Sequence, residues 1–208
     1  QAGAEIMVEV LIENNLTSAS FNLMHRRSAL ASASGAAVPI RKGESYWMVD
    51  LEWLFPRVDR ANFMIQSAQM LELSEDLAQI QIWKPQRRDP LAFTANGNDI
   101  TAISVNTSTR VVSTTCGGEL GVGDMISYDI DGTHRFLGEI SKILTRPGAG
   151  QATFETKPRA LAVHSTPNAK LEKAYGLFQM VSGSLRISEP IGLGDPASIS
   201  ATFKQVTP

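Results

Sequence analysis

The sequence predicts a mainly β protein, β-rich with one amphipathic helix, and three observations carry that prediction. The first is strict alternation of apolar and polar residues over three segments, the period of a half-buried strand. The second is the supply of 19 serines and 14 threonines among 208 residues, a composition common in β-rich domains and rare in long helices. The third is a pair of turn dipeptides, Asn96-Gly97 and Asp131-Gly132, whose residues accept the positive φ of tight hairpins.

Residues 5–13 come first, with Ile6, Val8, Val10 and Ile12 on one face and Glu5, Glu9 and Glu13 on the other. Residues 30–39 (LASASGAAVP) read as a flexible loop. The segment 46–54 places Trp47, Val49, Leu51 and Trp53 on one side and Asp50 and Glu52 opposite. A helix is expected from Pro56 to about Leu73, because proline is tolerated in a first turn where its missing N–H has no partner. Val58, Ala61, Met64, Ile65, Ala68 and Leu71 then recur at spacings of three and four. Arg57, Asp59, Arg60, Gln66 and Gln69 take the opposite side. Residues 77–84 form another strand, stopped by Pro85, which cannot donate to a ladder.

PQRRDP, from Pro85 to Pro90, is a polar, proline-bounded crossing and a candidate domain boundary. Beyond it, 100–105, 110–112, 124–130, 135–144 and 152–156 read as five short strands. Five strands in so short a stretch suit a small closed barrel of OB type. Asp131-Gly132, between MISYDI and RFLGEISKIL, is the strongest hairpin signal. Longer strands return at 175–181 and 198–206, where Ile199, Ala201 and Phe203 alternate with Ser198, Ser200, Thr202 and Lys204. The expected division is 1–88 plus 174–208 as one discontinuous domain, with 89–173 as a small barrel.

Hydrophobic residues are 43% and charged residues 19%, which excludes intrinsic disorder. A net charge of −2 gives no field that steers the chain toward nucleic acid or an anionic membrane. No run approaches the ~18 apolar residues of a membrane span. The segment Gln1-Ala2-Gly3-Ala4-Glu5 lacks the basic and apolar regions of a signal peptide. The single cysteine, Cys116, excludes an internal disulfide and suits a reducing compartment of synthesis.

Chemical motifs are sparse. Gly117, Gly118, Gly121 and Gly123 match neither a dinucleotide nor a P-loop fingerprint, so a wide turn between strands is expected there. Cys116 would need a base from His25, His134 or His164 to act as a nucleophile, and a structural thiol is the simpler reading. Asp129 and Asp131 lack the further oxygen ligands of a calcium loop and read as turn aspartates. Arg26-Arg27, Arg41-Lys42 and Arg87-Arg88 are too scattered for a nucleic-acid platform. Trp47 and Trp53 share a face with Val49 and Leu51, which points to a core or a subunit interface. No enzyme activity, metal or cofactor is expected.

The order of elements resembles a known family. YWMVDLEWLFPRVDRANFMIQSAQML, from Tyr46 to Leu71, is an aromatic strand, then Leu-Phe-Pro, then a helix. LAQIQIWKPQ follows, then GVGDMISYDIDGTHRFLGEISKIL from Gly121 to Leu144, ATFETKPRALAV, YGLFQMVSG and a closing strand. This succession resembles the distal tail proteins of long-tailed siphophages, in the version whose belt domain carries an OB-fold insertion. The resemblance implies a tail-tube-like belt, a β-sandwich or split barrel, with a small OB-like β-barrel inserted in it. It further implies a structural virion protein assembled in the host cytoplasm into a six-fold ring. The implied partners are copies of itself, the tail tube protein and the tail-tip hub protein, with phage DNA passing through unread.

A channel that lets DNA slide should avoid dense Lys and Arg, because phosphate contacts would grip the strand. The acidic faces of Glu5, Glu9 and Glu13, or of Asp50 and Glu52, are therefore candidates to line the lumen. Trp47 and Trp53, with the loop 30–39, are candidates for the contact between ring neighbours. A carbohydrate- or partner-binding β-barrel module and an enzyme built on Cys116 stay open as other readings.

Overall fold

A computed structural model describes residues 15–31, 37–41, 43–76, 79–83, 100–106, 108–116, 120–131, 133–148, 151–163, 169–171, 174–189 and 196–207. It is mainly β, as expected. The strands are β1 (Leu16–Met24), β2 (Arg27–Ala31), β3 (Ala37–Arg41), β4 (Tyr46–Phe55), β5 (Gln79–Trp83), β6 (Ile100–Val105) and β7 (Val112–Cys116). They continue as β8 (Met125–Asp129), β9 (Arg135–Gly148), β10 (Gln151–Lys157), β11 (Tyr175–Met180), β12 (Arg186–Ser188) and β13 (Ala197–Gln205). One α-helix, α1 (Arg60–Asp76), follows a single 3-10 turn at Arg57–Asp59. The expected strand at 5–13, with Glu5, Glu9 and Glu13, lies outside the described residues, as does Asn96-Gly97.

The chain divides into two compact units. The first gathers the described residues up to Asn22 with Trp47–Ile82 and Leu177–Val206. The second takes Leu23–Tyr46 and Trp83–Gly176. Residues 23–46 thus go with the later segment of the chain.

The first unit is a sheet of order β1-β4-β13-β11-β5, with β12 paired to the start of β13. The β4–β13 register sets its two faces. Ile199 opposes Trp53, Ala201 opposes Leu51 and Phe203 opposes Val49, whereas Ser200 opposes Glu52 and Thr202 opposes Asp50. A slip of one residue would turn every one of these side chains to the other face. The apolar face continues through Phe178 and Met180 on β11 and Ile80 and Ile82 on β5, all buried. At its end the Gln205 side-chain oxygen accepts the Trp47 backbone N–H at 3.1 Å. Helix α1 covers this face with Phe63, Met70 and Leu73, and the rings of Phe55 and Phe63 meet edge to face, 5.5 Å between centroids.

In the second unit, five antiparallel strands run in the order β6-β7-β10-β9-β8. Register shifts along β9–β10, between Gln151 and Thr153, Thr153 and Phe154, and Glu155 and Thr156, bend the pair as β-bulges do. The sheet curls into a half-barrel. Its core holds Ile126, Tyr128, Phe136, Ile140, Phe154 and Leu171. Tyr128 and Phe136 stack at 4.7 Å, and the Tyr128 hydroxyl donates to the Leu161 carbonyl at 2.7 Å while accepting the Leu161 N–H at 3.1 Å. Burial pushes that hydroxyl far above its ordinary pKa.

Two expectations are corrected. The segment 30–39 is not simply a loop, because β2 and β3 pair from Arg27↔Arg41 to Ala31↔Ala37. Its run of small residues, Ala and Ser, has no alternation to betray the strands. The strand expected at 110–112 begins at Val112, because Arg110 takes a positive φ of 61° in the turn that precedes it.

Trp47 and Trp53 are 5% and 1% exposed, so they belong to the core of their unit and not to a free subunit surface. The strand face that suggested an interface is buried within the unit. Trp53→Ala is expected to lower the unfolding free energy by about 3–5 kcal/mol, read as a shift of the urea midpoint. A loss under about 1 kcal/mol would show that the ring is not packed as described.

Candidate functional site

Two surfaces of the first unit carry the features from which a function can be argued. The polar side of the sheet is one. Asp50 and Glu52 are exposed there on β4, as their alternation predicted. The Asp50 carboxylate accepts the Thr202 hydroxyl at 2.6 Å and, on its other oxygen, the Asn22 amide at 3.3 Å. These bonds tie β4 to β13 and to β1 without using the whole of the carboxylate's capacity. Next to them the Ser184 hydroxyl donates to the Thr202 carbonyl and accepts the Thr202 N–H, both at 3.1 Å. A shallow depression of about 230 Å³ lies among Ser18, Asp50, Glu52, Ser184, Arg186 and Ser200. Arg186 faces Ser200 here, and exposed Lys204 follows Thr202 on the same side of β13, so two cations balance the two carboxylates and the face is polar without a net acidic charge. It holds no nucleophile with a base beside it.

Helix α1 is the other surface, and here the structure corrects the expected orientation. The stripe expected to face inward points out: Val58 is 91%, Met64 55%, Ile65 57% and Leu71 50% exposed, and Ala61 and Ala68 lie exposed beside them. Gln66, assigned to the outer side, is buried with Ser67, Phe63, Met70 and Leu73. The cause is visible in the sequence once the sheet is in place. Apolar residues occur on both sides of this helix, and Phe63 with Met70 and Leu73 fits the aromatic sheet face. The arrangement has a cost. The side-chain oxygens of Gln66 and Gln69 are buried with no hydrogen-bond partner, and an unmet buried acceptor costs about 1–3 kcal/mol.

The other sequence candidates resolve into local structure. The glycine-rich turn is closed by buried Asp124, whose carboxylate accepts the Gly121 N–H at 2.6 Å. Gly123 has φ +96° there, a value a side chain would strain. The Gly123 N–H donates to the Ile140 carbonyl, and the Ile140 N–H returns to Asp124, both at 2.8 Å. This is the structural role of the G-x-G-D stretch.

Asp129 and Asp131 are both committed to the hairpin between β8 and β9. Asp129 pairs with the buried Arg135 guanidinium, which also lies 4.0 Å over the Tyr175 ring. Asp131 accepts the Thr133 and His134 N–H groups. The Thr133 backbone bond, then the His134 ring and the Thr133 hydroxyl, hold its carboxyl far below the ordinary carboxylate range. His25 bonds the Ser45 hydroxyl at 2.8 Å, and His164 lies outside the described residues. Among the described residues no cluster of three or more His, Cys, Asp or Glu could hold a metal. No helix among them is long and apolar enough to cross a membrane. Comparison with protein-family models and with curated proteins returns no match.

The buried glutamines offer a direct check on the helix orientation. Gln66→Met keeps the side-chain length and removes the unmet oxygen, so it is expected to raise stability by about 1 kcal/mol, read as a higher urea midpoint. An unchanged midpoint would place Gln66 on the solvent side.

Proposed function

We propose that this protein is a structural subunit of a long-tailed phage tail, forming a ring that joins the tail tube to the tail-tip hub and lets DNA pass. The observation that carries the reading is the two-sided helix. Single exposed apolar residues are ordinary, but a continuous stripe marks an interaction surface. A helix that is apolar on both sides is normally covered on both. Covering Met64, Ile65 and Leu71 with a neighbour contributes on the order of 1 kcal/mol each, about half the value of burying a fully exposed side chain. The occupant in this reading is the next copy around the ring, since a closed ring repeats one heterologous contact. The contact assigned at first to Trp47 and Trp53 therefore moves to the outer face of α1.

The polar side of the same sheet supports the second half of the reading. A channel wall must be wet and must not hold phosphate. Asp50, Glu52, Ser198, Ser200 and Thr202 supply a wet surface on two adjacent strands, with Lys204 and Arg186 as the cations among them. The element order of strand, Leu-Phe-Pro, helix and inserted β module supports the same reading by resemblance.

Light scattering on a sizing column with negative-stain imaging tests the assembly. Rings of six-fold symmetry with an open centre are expected, and Ile65→Glu is expected to leave a monomer with an unchanged far-ultraviolet spectrum. Wild-type protein that stays monomeric even with tail-tube and hub partners present would overturn the reading. Asp50→Asn with Glu52→Gln keeps the shapes and removes the charges. Particles carrying both changes are expected to assemble and to eject DNA more slowly. Unchanged ejection would remove these residues from the channel wall.

A further inference from the structure

The second unit contains a cationic depression that the ring reading does not use, and we propose that it binds a phosphate group. The depression measures about 320 Å³ and is lined by Arg26, Lys157 and Arg159, with His25, Ser45 and Thr156 beside them. Its volume falls at the lower end of small-ligand sites, which run from about 300 Å³ upward. The cations come from two segments far apart in the chain, Arg26 from one and Lys157 with Arg159 from the other, and all the lining residues belong to one compact unit. No carboxylate among the described residues pairs with any of the three. No carboxylate lines the depression; Glu139 stands opposite Lys157 in the β9–β10 register, so one acid faces three cations, and an oxyanion relieves the remaining repulsion.

The groups are also held. The Arg26 guanidinium lies 5.2 Å over the Tyr46 ring. Its stem passes Gly43 so closely that a Cβ there would meet Arg26 Cδ at 3.1 Å. His25 is fixed by its bond to the buried Ser45 hydroxyl. Thr156 is buried, and its hydroxyl donates to the Pro158 carbonyl at 2.8 Å, which anchors the turn carrying Lys157 and Arg159. The β2–β3 register sets Arg27 opposite Arg41 at the end of the hairpin that adjoins Arg26.

Planar guanidinium forks and an ammonium are the donor set that recognises phosphoryl oxygens. The ligand class is accordingly a phosphate, either the free ion or the phosphomonoester of a small polyol.

The test is a nuclear magnetic resonance titration of the full chain with inorganic phosphate and, separately, with glycerol 3-phosphate in chloride buffer. Saturable shifts are expected at the amides of residues 25, 26, 45, 156, 157 and 159. Arg26→Gln, Lys157→Gln and Arg159→Gln are each expected to weaken binding about tenfold. All three side chains are exposed, so the spectrum elsewhere should not change. Tighter binding of the ester identifies a phosphomonoester site, and equal binding identifies a site for the free ion. Shifts that do not saturate, or variants that bind like the wild type, would overturn the proposal. Ring formation is read in a separate experiment, so failure of one leaves the other standing.

Discussion

Pairing of β4 with β13 is the constraint on which the first unit rests. Because side chains alternate with a period of two, one choice of register sends Trp53, Leu51 and Val49 inward with Ile199, Ala201 and Phe203. The same choice sends Asp50 and Glu52 outward with Thr202 and Ser200. A slip of one residue would turn both strands' aromatics into water, so the hydrophobic effect rejects it. The apolar face then needs a cover, which α1 provides through Phe63, Met70 and Leu73. The polar face stays bare. A layer with one dry side and one wet side follows from a single pairing.

The helix carries apolar residues on both of its sides and polar groups inside. Its inner side packs aromatic and aliphatic residues on the sheet yet buries two glutamine oxygens without partners. Its outer side leaves Met64, Ile65 and Leu71 in water. Both features cost stability in the isolated chain, and a neighbour over the outer stripe would recover part of that cost.

The second unit is held by a different device. In its five-stranded sheet β9 and β10 slip against each other at three register shifts, which bend the pair. Its turns are pinned by aspartates, with Asp124 closing one and Asp131 capping another. Arg135, buried between Asp129 and Tyr175, ties the hairpin to Tyr175 of the same unit.

By itself the sequence determined the class of fold, the faces of β4 and β13, the helix and the β8–β9 hairpin. Each of these is written in a local period or a turn residue, and local periods survive in any tertiary context. Strand order, the bulges and the convergence of Arg26 with Lys157 and Arg159 were not legible, because they join residues far apart in the chain. The β2–β3 pair was hidden by small residues with no alternation. The rotation of α1 was hidden for the opposite reason: it carries two apolar stripes, and periodicity cannot say which one meets the sheet. Only the shape of the sheet's aromatic face decided that, admitting Phe63, Met70 and Leu73 and leaving the other stripe outside. The function proposed here grows from that decision, which no local pattern contains.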